Sequence, residues 1–291
     1  MTRLICCLLN RSGLPWLIRE VYARRKVTIV NYHNPKYDVF EEHAKFYVRN
    51  YSFVSIDMVV AALKEGTISK LPPKPLLVTF DDGYAGNAHL IDIFKRYRIP
   101  AVIYAVAGVV NTQRHFWFDK LLHHGQAMQT LKRIEDSKRR IRMELDYNHW
   151  DEKKYDNPVA LSSVELNAFL DSGGLVGSHT IFHPLLDRCQ EEVGVYECRK
   201  SKDILEALLV RPVVHFALPN GNVNERVLDW VRRAGYCTCR TTSPGWVTPK
   251  TSPFLLPVFG IADTADSGKA AVQACGLWSL FKILRNWFKT P

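Results

Sequence analysis

No run of apolar residues in this sequence approaches the roughly 20 that a membrane-spanning helix requires, so an integral helical membrane protein is excluded. The longest apolar stretch near the start, Leu4 to Leu9, is too short for a signal-peptide core, and Arg11 follows it instead of a small-residue cleavage site. No Cys-x-x-Cys pair occurs. The seven cysteines are odd in number, which argues against both a disulfide framework and a thiolate zinc knuckle, and favours a reducing, cytoplasmic compartment. Cys237 and Cys239 alternate on one expected strand and are read as structural thiols. Internal repeats and low-complexity tracts are also missing.

What remains is an ordinary globular composition: 291 residues, 47% hydrophobic and 23% charged, enough for one large α/β domain with appendages. Lys and Arg number 39 against 29 Asp and Glu, a net charge of +10 that suits nucleic acid, anionic lipid or a phosphorylated substrate equally. Nucleic-acid binding would explain the charge and nothing else in the sequence, so it is set aside.

Short β-branched runs alternate with helical patterns from residue 27 to 261. Strands are expected at Val27 to Tyr32, Ser52 to Ile56, Leu76 to Phe80, Ala101 to Val106, Leu175 to Ser178, Val213 to Ala217, Tyr236 to Arg240 and Phe254 to Pro257. Helices are expected at Asp57 to Glu65, Gly86 to Tyr97, Ser163 to Ser172, Glu191 to Leu209 and Asn224 to Ala234. Their caps are expected at Asp57, Ser162 or Ser163, and Asn222 or Asn224. This alternation implies a distorted (β/α) barrel of about seven to eight mostly parallel strands. The domain spans 27–263, interrupted by a charge-rich insertion at about 114–158 containing Lys132, Arg133, Lys138, Arg139, Arg140 and Arg142. Those charges are expected to form a solvated helix face, with bordering of the site as the alternative.

The termini differ from the middle. Leu14, Leu17, Ile18 and Val21 form a stripe beside Arg11, Arg19, Arg24, Arg25 and Lys26 in segment 1–26. Leu277, Leu280, Phe281, Leu284, Trp287 and Phe288 form another in segment 264–291. Both read as basic amphipathic helices suited to peripheral contact with an anionic membrane, the alternative being helices that cap the barrel.

Chemistry concentrates in two segments. In Leu77-Val78-Thr79-Phe80-Asp81-Asp82-Gly83-Tyr84 an apolar strand ends in two adjacent carboxylates, whose repulsion a cation or a proton must relieve. In Gly177-Ser178-His179-Thr180-Ile181-Phe182-His183-Pro184 two histidines four apart, taken as one helical turn, present ring nitrogens to one side. Two histidines and one carboxylate form a catalytic metal set with positions left open.

With these motifs the chain resembles the polysaccharide deacetylase family, the NodB-homology carbohydrate esterases, over residues 27 to 261. The resemblance implies that Asp81 is the catalytic base and that Asp82, His179 and His183 hold one divalent metal, most simply Zn2+. It matches His215-Phe216-Ala217-Leu218-Pro219-Asn220-Gly221 to a third motif, in which the backbone N–H of Asn220 serves as an oxyanion donor. Tyr84 and Pro219, inside the same motifs, are assigned to substrate binding.

Two family features are missing: an Arg near Ala217 that orients the base, and a Leu-x-His whose His protonates the leaving amine. Leu255-Leu256-Pro257-Val258-Phe259-Gly260 stands in place of the second. His33, in Val30-Asn31-Tyr32-His33, ends the first strand on the same rim and is the candidate general acid, with a backbone-bonding role as the alternative. Trp246 and Trp117 are candidates for stacking on a sugar face. His89, His115, His123, His124 and His149 are read as surface or satisfied polar groups.

The implied activity is hydrolysis of the N-acyl group of an amino sugar, acetyl first, on a membrane-presented glycan or lipid-linked precursor. Deformylation of a lipid-linked formamido sugar and a catalytically degenerate carbohydrate-binding protein are the alternatives.

Overall fold

A computed structural model of the protein describes residues 2–121 and 124–287. Its strands are β1 (Thr28–Tyr32), β2 (Ser52–Phe53), β3 (Pro75–Phe80), β4 (Val102–Ala105), β5 (Leu175–Ser178), β6 (His215–Ala217), β7 (Thr238–Arg240) and β8 (Phe259–Gly260). They lie in the order β7-β6-β5-β4-β3-β1-β8, with β2 beside the start of β3, and every pairing is parallel. The curled sheet with its surrounding helices is the distorted (β/α) barrel expected from the alternation.

Alternate side chains along the strands serve two cores. Val30, Tyr32, Val78, Phe80, Ile103 and Ala105 pack under the helices, while Ile29, Leu77, Val102 and Tyr104 meet Val247, Leu256 and Val258 on the other face. Gly177 belongs to this arrangement, since a Cβ there would stand 2.4 Å from the Tyr104 ring.

Several expectations are corrected. The strand expected at Phe254 to Pro257 is a single bridge, Arg240 to Leu256, and the last strand follows at Phe259–Gly260. Pro253 and Pro257 remove ladder donors from that run. The run from Ser52 keeps only two strand residues, because Ser55 caps the next helix by accepting from the Met58 N–H and the chain is helical from Ile56 to Lys64. Asp57 is therefore inside the helix. The helix expected from Gly86 begins as a 3-10 segment, Ala85–Leu90, and becomes α-helical only at Ile91–Tyr97. There the Asn87 side chain donates to the His33 carbonyl (3.0 Å) and Gly86 comes close to Asn34, tying this turn to the end of β1.

The helix Glu191–Leu209 has the expected bounds, and Ser162 closes a capping box with Glu165. An additional helix, Tyr37–Asn50, buries Phe40, His43, Ala44 and Tyr47 on one face.

The insertion contributes helices Gly125–Leu131 and Asp136–Tyr147; Arg133, Lys138 and Arg142 are exposed as a solvated face requires, while Arg139 and Arg140 turn inward. Arg139 is buried, bonded to Asp136 and stacked 4.4 Å from the Trp117 ring. Arg140 joins Asp136 (2.7 Å), Asp151 and Glu197 (3.2 Å) in one network.

At the termini, Cys6, Val272 and Trp278 form a small core flanked by Ile5, Leu9, Leu277 and Phe281, so the two ends pack on each other. Among the described residues of the two terminal segments, Leu8, Leu14, Trp16, Leu17, Val21, Tyr22 and Leu280 are the large apolar side chains left exposed. The side chains of Leu284, Trp287 and Phe288, like His123, lie outside the described residues.

Candidate active site

Parallel pairing puts the C-terminal ends of the strands on one rim. Tyr32 stands opposite Phe80, Ala105 opposite Ser178, and Ala217 opposite Arg240. The residues that follow, His33, Asp81, Asp82, His179 and the turn at Asn220, therefore converge on one cavity of about 1120 Å3. His183, Tyr84, Asp119 and Lys132 also line it.

Asp82 leaves β3 with φ 69°, a conformation costly for a residue with a Cβ, and this turn aims its carboxylate into the barrel mouth. Its Oδ1 lies 3.6 Å from Nε2 of His179 and 3.6 Å from Nε2 of His183. That is too long for hydrogen bonds, but matches the separation of about 3.4 Å between two ligands of one tetrahedral zinc ion. The three ligand atoms lie within 4.8 Å of one another.

Asp82 Oδ1 is buried without a hydrogen-bond partner, and burial, reinforced by Asp81 and Asp119, pushes this carboxyl up to about 7. Burial pushes His179 down to about 4 and His183 well below its ordinary value, so both rings are neutral. His179 Nδ1 donates to the Ala217 carbonyl (2.8 Å), which leaves the Nε2 lone pair facing Asp82. An orphaned carboxylate oxygen beside a lone pair so fixed, with a second neutral ring nitrogen at the same distance, is a donor set that fits a divalent cation.

The His179–His183 segment is not a helical turn. Thr180 and His183 have positive φ, and the loop is held by Glu197, whose Oε2 accepts the N–H groups of Ile181 (2.8 Å) and Phe182 (3.1 Å). Trp117, considered for sugar stacking, is buried and donates through Nε1 to the His183 carbonyl (2.9 Å). Glu197 also accepts from Arg140, so the insertion and the helix Glu191–Leu209 together fix the histidine loop.

Asp81 is held from two strands. Asn31 Nδ2 donates to its Oδ2 (3.0 Å), with Asn31 itself fixed by the Thr79 hydroxyl (2.9 Å), and Arg240 pairs with Oδ1. Burial would raise this carboxyl, but Arg240, His179 and His33 outweigh it and keep it below its ordinary range. The arginine missing near Ala217 is thus replaced by Arg240, directly across the ladder.

His33 is exposed at the cavity wall, its backbone N–H and that of Asn34 held by Asp263 (3.1 and 3.0 Å). Asn220 sits at φ 57°, and its side-chain carbonyl accepts from Lys132 (2.8 Å). Tyr84 donates to Asp119 Oδ1 (2.7 Å).

Two expected substrate contacts are not brought into the cavity. Pro219 is buried and does not line it, and Trp246 packs on Tyr22 and Phe259 beside a separate apolar cavity of about 360 Å3. Of the other histidines, His89 and His124 are exposed and His149 bonds Tyr155 (2.8 Å). His115 lines the cavity while donating to the Asn157 carbonyl (2.7 Å). Arg240, Glu197, Asp119 and Asp263 were not singled out in the sequence.

Comparison with known proteins bears on the fold and the family. A curated Bacillus subtilis protein described as a polysaccharide deacetylase, YxkH, is 22% identical over 240 residues, 79% of this chain and 68% of that protein. The Streptococcus pyogenes deacetylase PplD, solved with acetate, superposes with a TM-score of 0.62 at 20% identity, covering 86% of this chain and 98% of its own. IcaB from Ammonifex degensii gives 0.61 at 19% identity, covering 86% and 97%. These likenesses concern the fold. The sequence model of the polysaccharide deacetylase family matches residues 69–239, more than half the chain and the stretch that carries Asp81, Asp82, His179, His183 and Asn220, and the chain belongs to that family.

Proposed function

We propose that this protein hydrolyses the N-acyl group of an amino sugar, acetyl in the first place, with one divalent metal, Zn2+, at Asp82, His179 and His183. The observation that carries this reading is the orphaned Asp82 oxygen between two neutral histidines, beside an Asp81 kept ionised by Arg240. The chemistry such an ion supplies when bound is polarisation of the acyl carbonyl and acidification of a water.

The chain's own residues account for the rest. Asp81 takes a proton from the water as its oxygen joins the acyl carbon. The Asn220 N–H donates to the oxygen that gains charge. As the C–N bond breaks, His33 gives the nitrogen a proton, and the products are a carboxylic acid and a free amine. Tyr84 and Asp119 are placed to orient the sugar.

The same reading puts the enzyme peripherally on the cytoplasmic side of an anionic membrane, acting on a membrane-presented glycan or lipid-linked precursor. Its support is the exposed Leu14, Trp16, Leu17, Val21 and Tyr22 beside Arg11, Arg24 and Arg25, together with seven free cysteines. No described helix is long and apolar enough to cross a membrane. Of the basic residues in segment 1–26, Arg19 is not part of this surface, being buried against Phe46 and Tyr51.

The test is acetate release from N-acetylated amino-sugar glycosides by zinc-loaded protein. Formate release from the N-formyl analogues alone would move the reading to a deformylase, and sugar binding without turnover to a degenerate lectin-like protein.

A further inference from the structure

Most charged groups in the cavity are already answered by a partner of opposite or complementary kind. Asp81 has Arg240 and Asn31, Asp119 has the Tyr84 hydroxyl, Asp263 has two backbone N–H groups, and Asp82 faces His179 and His183 in the set that would hold a cation. Two cations of the cavity lack a carboxylate partner among the described residues: Lys120, which donates to His115 and stands over the Tyr155 ring, and Lys132. Lys132 follows the helix Gly125–Leu131, is half-buried in the cavity wall, and donates to a neutral acceptor, Asn220 Oδ1, at 2.8 Å. Among the described residues it forms no ion pair with a carboxylate.

The charge it feels most is that of Asp82, and burial lowers its pKa. A divalent ion on Asp82 would neutralise that carboxylate and leave the Lys132 ammonium half-desolvated with one carboxamide for company, which is a costly state unless an anion arrives. The lysine also stands next to Asn220, the residue whose backbone faces the reacting acyl group in the proposed mechanism, so the anion it serves belongs to the same sugar or its immediate neighbour.

We infer that Lys132, carried by the insertion, is an anion subsite of the active cavity: it recognises a phosphate or carboxylate borne on or beside the N-acylated sugar. This deepens the reading given under Proposed function and rests on it. A phosphate at the anomeric position and the carboxylate of an adjoining uronate offer the same chemistry to an ammonium. The competing role for the lysine is a strap that pins the insertion to the barrel through Asn220, which needs the hydrogen bond but not the charge.

The experiment separates charge from hydrogen bond. Lys132→Gln keeps a donor for Asn220 and removes the charge, Lys132→Arg keeps both, and Lys132→Met removes both. Equilibrium binding to the zinc-loaded protein is measured calorimetrically with three deacylated probes that undergo no turnover: glucosamine 1-phosphate, a glucosamine–uronate disaccharide, and neutral methyl glucosaminide. The same variants are assayed for hydrolysis on the N-acetylated forms.

The expected result is that the wild type prefers one anionic probe over the neutral one by about tenfold or more, that Lys132→Gln and Lys132→Met lose this preference while Lys132→Arg retains it, and that added salt erodes it. Whichever anionic probe shows the loss identifies the source of the anion. Equal affinity of the wild type for charged and neutral probes, or a preference that survives in Lys132→Gln, overturns the anion subsite and leaves the strap. Because binding is read without turnover, absence of hydrolysis with intact charge preference would count against the deacetylase reading and not against the subsite.

Discussion

Arg240 reaches Asp81 from the strand next to the one on which an orienting arginine was sought, because Arg240 is the ladder partner of Ala217. Asp81 is thereby fixed between a guanidinium on β7 and a carboxamide on β1, and its carboxylate is kept from Asp82 beside it. Loss of the guanidinium should raise the Asp81 carboxyl, so the base would be protonated at a pH where it now is not. Arg240→Leu is expected to lower kcat/KM on the order of a hundredfold and to move the acid limb of its pH profile upward, with zinc content retained. An unchanged acid limb would show that Arg240 does not tune the base.

Glu197 acts through the backbone it holds. Its carboxylate gathers the Ile181 and Phe182 N–H groups, the two residues between Thr180 and His183. Glu197→Ala is expected to weaken zinc binding by about 10- to 100-fold in a chelator competition while circular dichroism stays native. Wild-type zinc affinity in that variant would mean that the loop is fixed by Trp117 and Thr180 alone.

His33 is exposed on the wall of the cavity that Asp81 and Asp82 also line. His33→Ala is expected to reduce kcat by about 10²-fold or more, with KM little changed. Full activity would transfer the proton to solvent.

The exposed N-terminal patch gives a separate expectation. Trp16→Glu with Leu17→Glu should abolish sedimentation with vesicles containing anionic lipid and leave hydrolysis of small soluble glycosides intact, since both side chains point to solvent. Retained sedimentation would place the contact elsewhere.

The alternation of strands and helices and the placement of the site were legible in the sequence because parallel βα units send every strand end to the same rim, so Asp81, Asp82, His179 and His33 could be placed from strand boundaries alone. The histidine pair was read correctly as convergent but for the wrong local reason: positive φ at Thr180 and His183 and the Glu197 carboxylate do what a helical turn was expected to do. Arg240 was hidden because its partner is 159 residues away, a pairing that periodicity cannot reveal. An arginine closing an otherwise uncharged strand was the available signal. The stacking role expected of Trp246 failed for a similar reason, since Tyr22 from the N-terminal segment and Phe259 pack against it. The Tyr37–Asn50 helix was not expected, although its Phe40, Ala44 and Tyr47 stripe stands in the sequence at helical spacing.

The central claim is that Asp82, His179 and His183 hold one divalent ion. Elemental analysis of the purified protein, wild type beside Asp82→Ala and His179→Ala, tests it most directly. One transition metal ion per chain in the wild type, lost from both variants with the fold intact, is the predicted result. A wild type that takes up no metal even when zinc is supplied, or variants that keep it, would contradict the account.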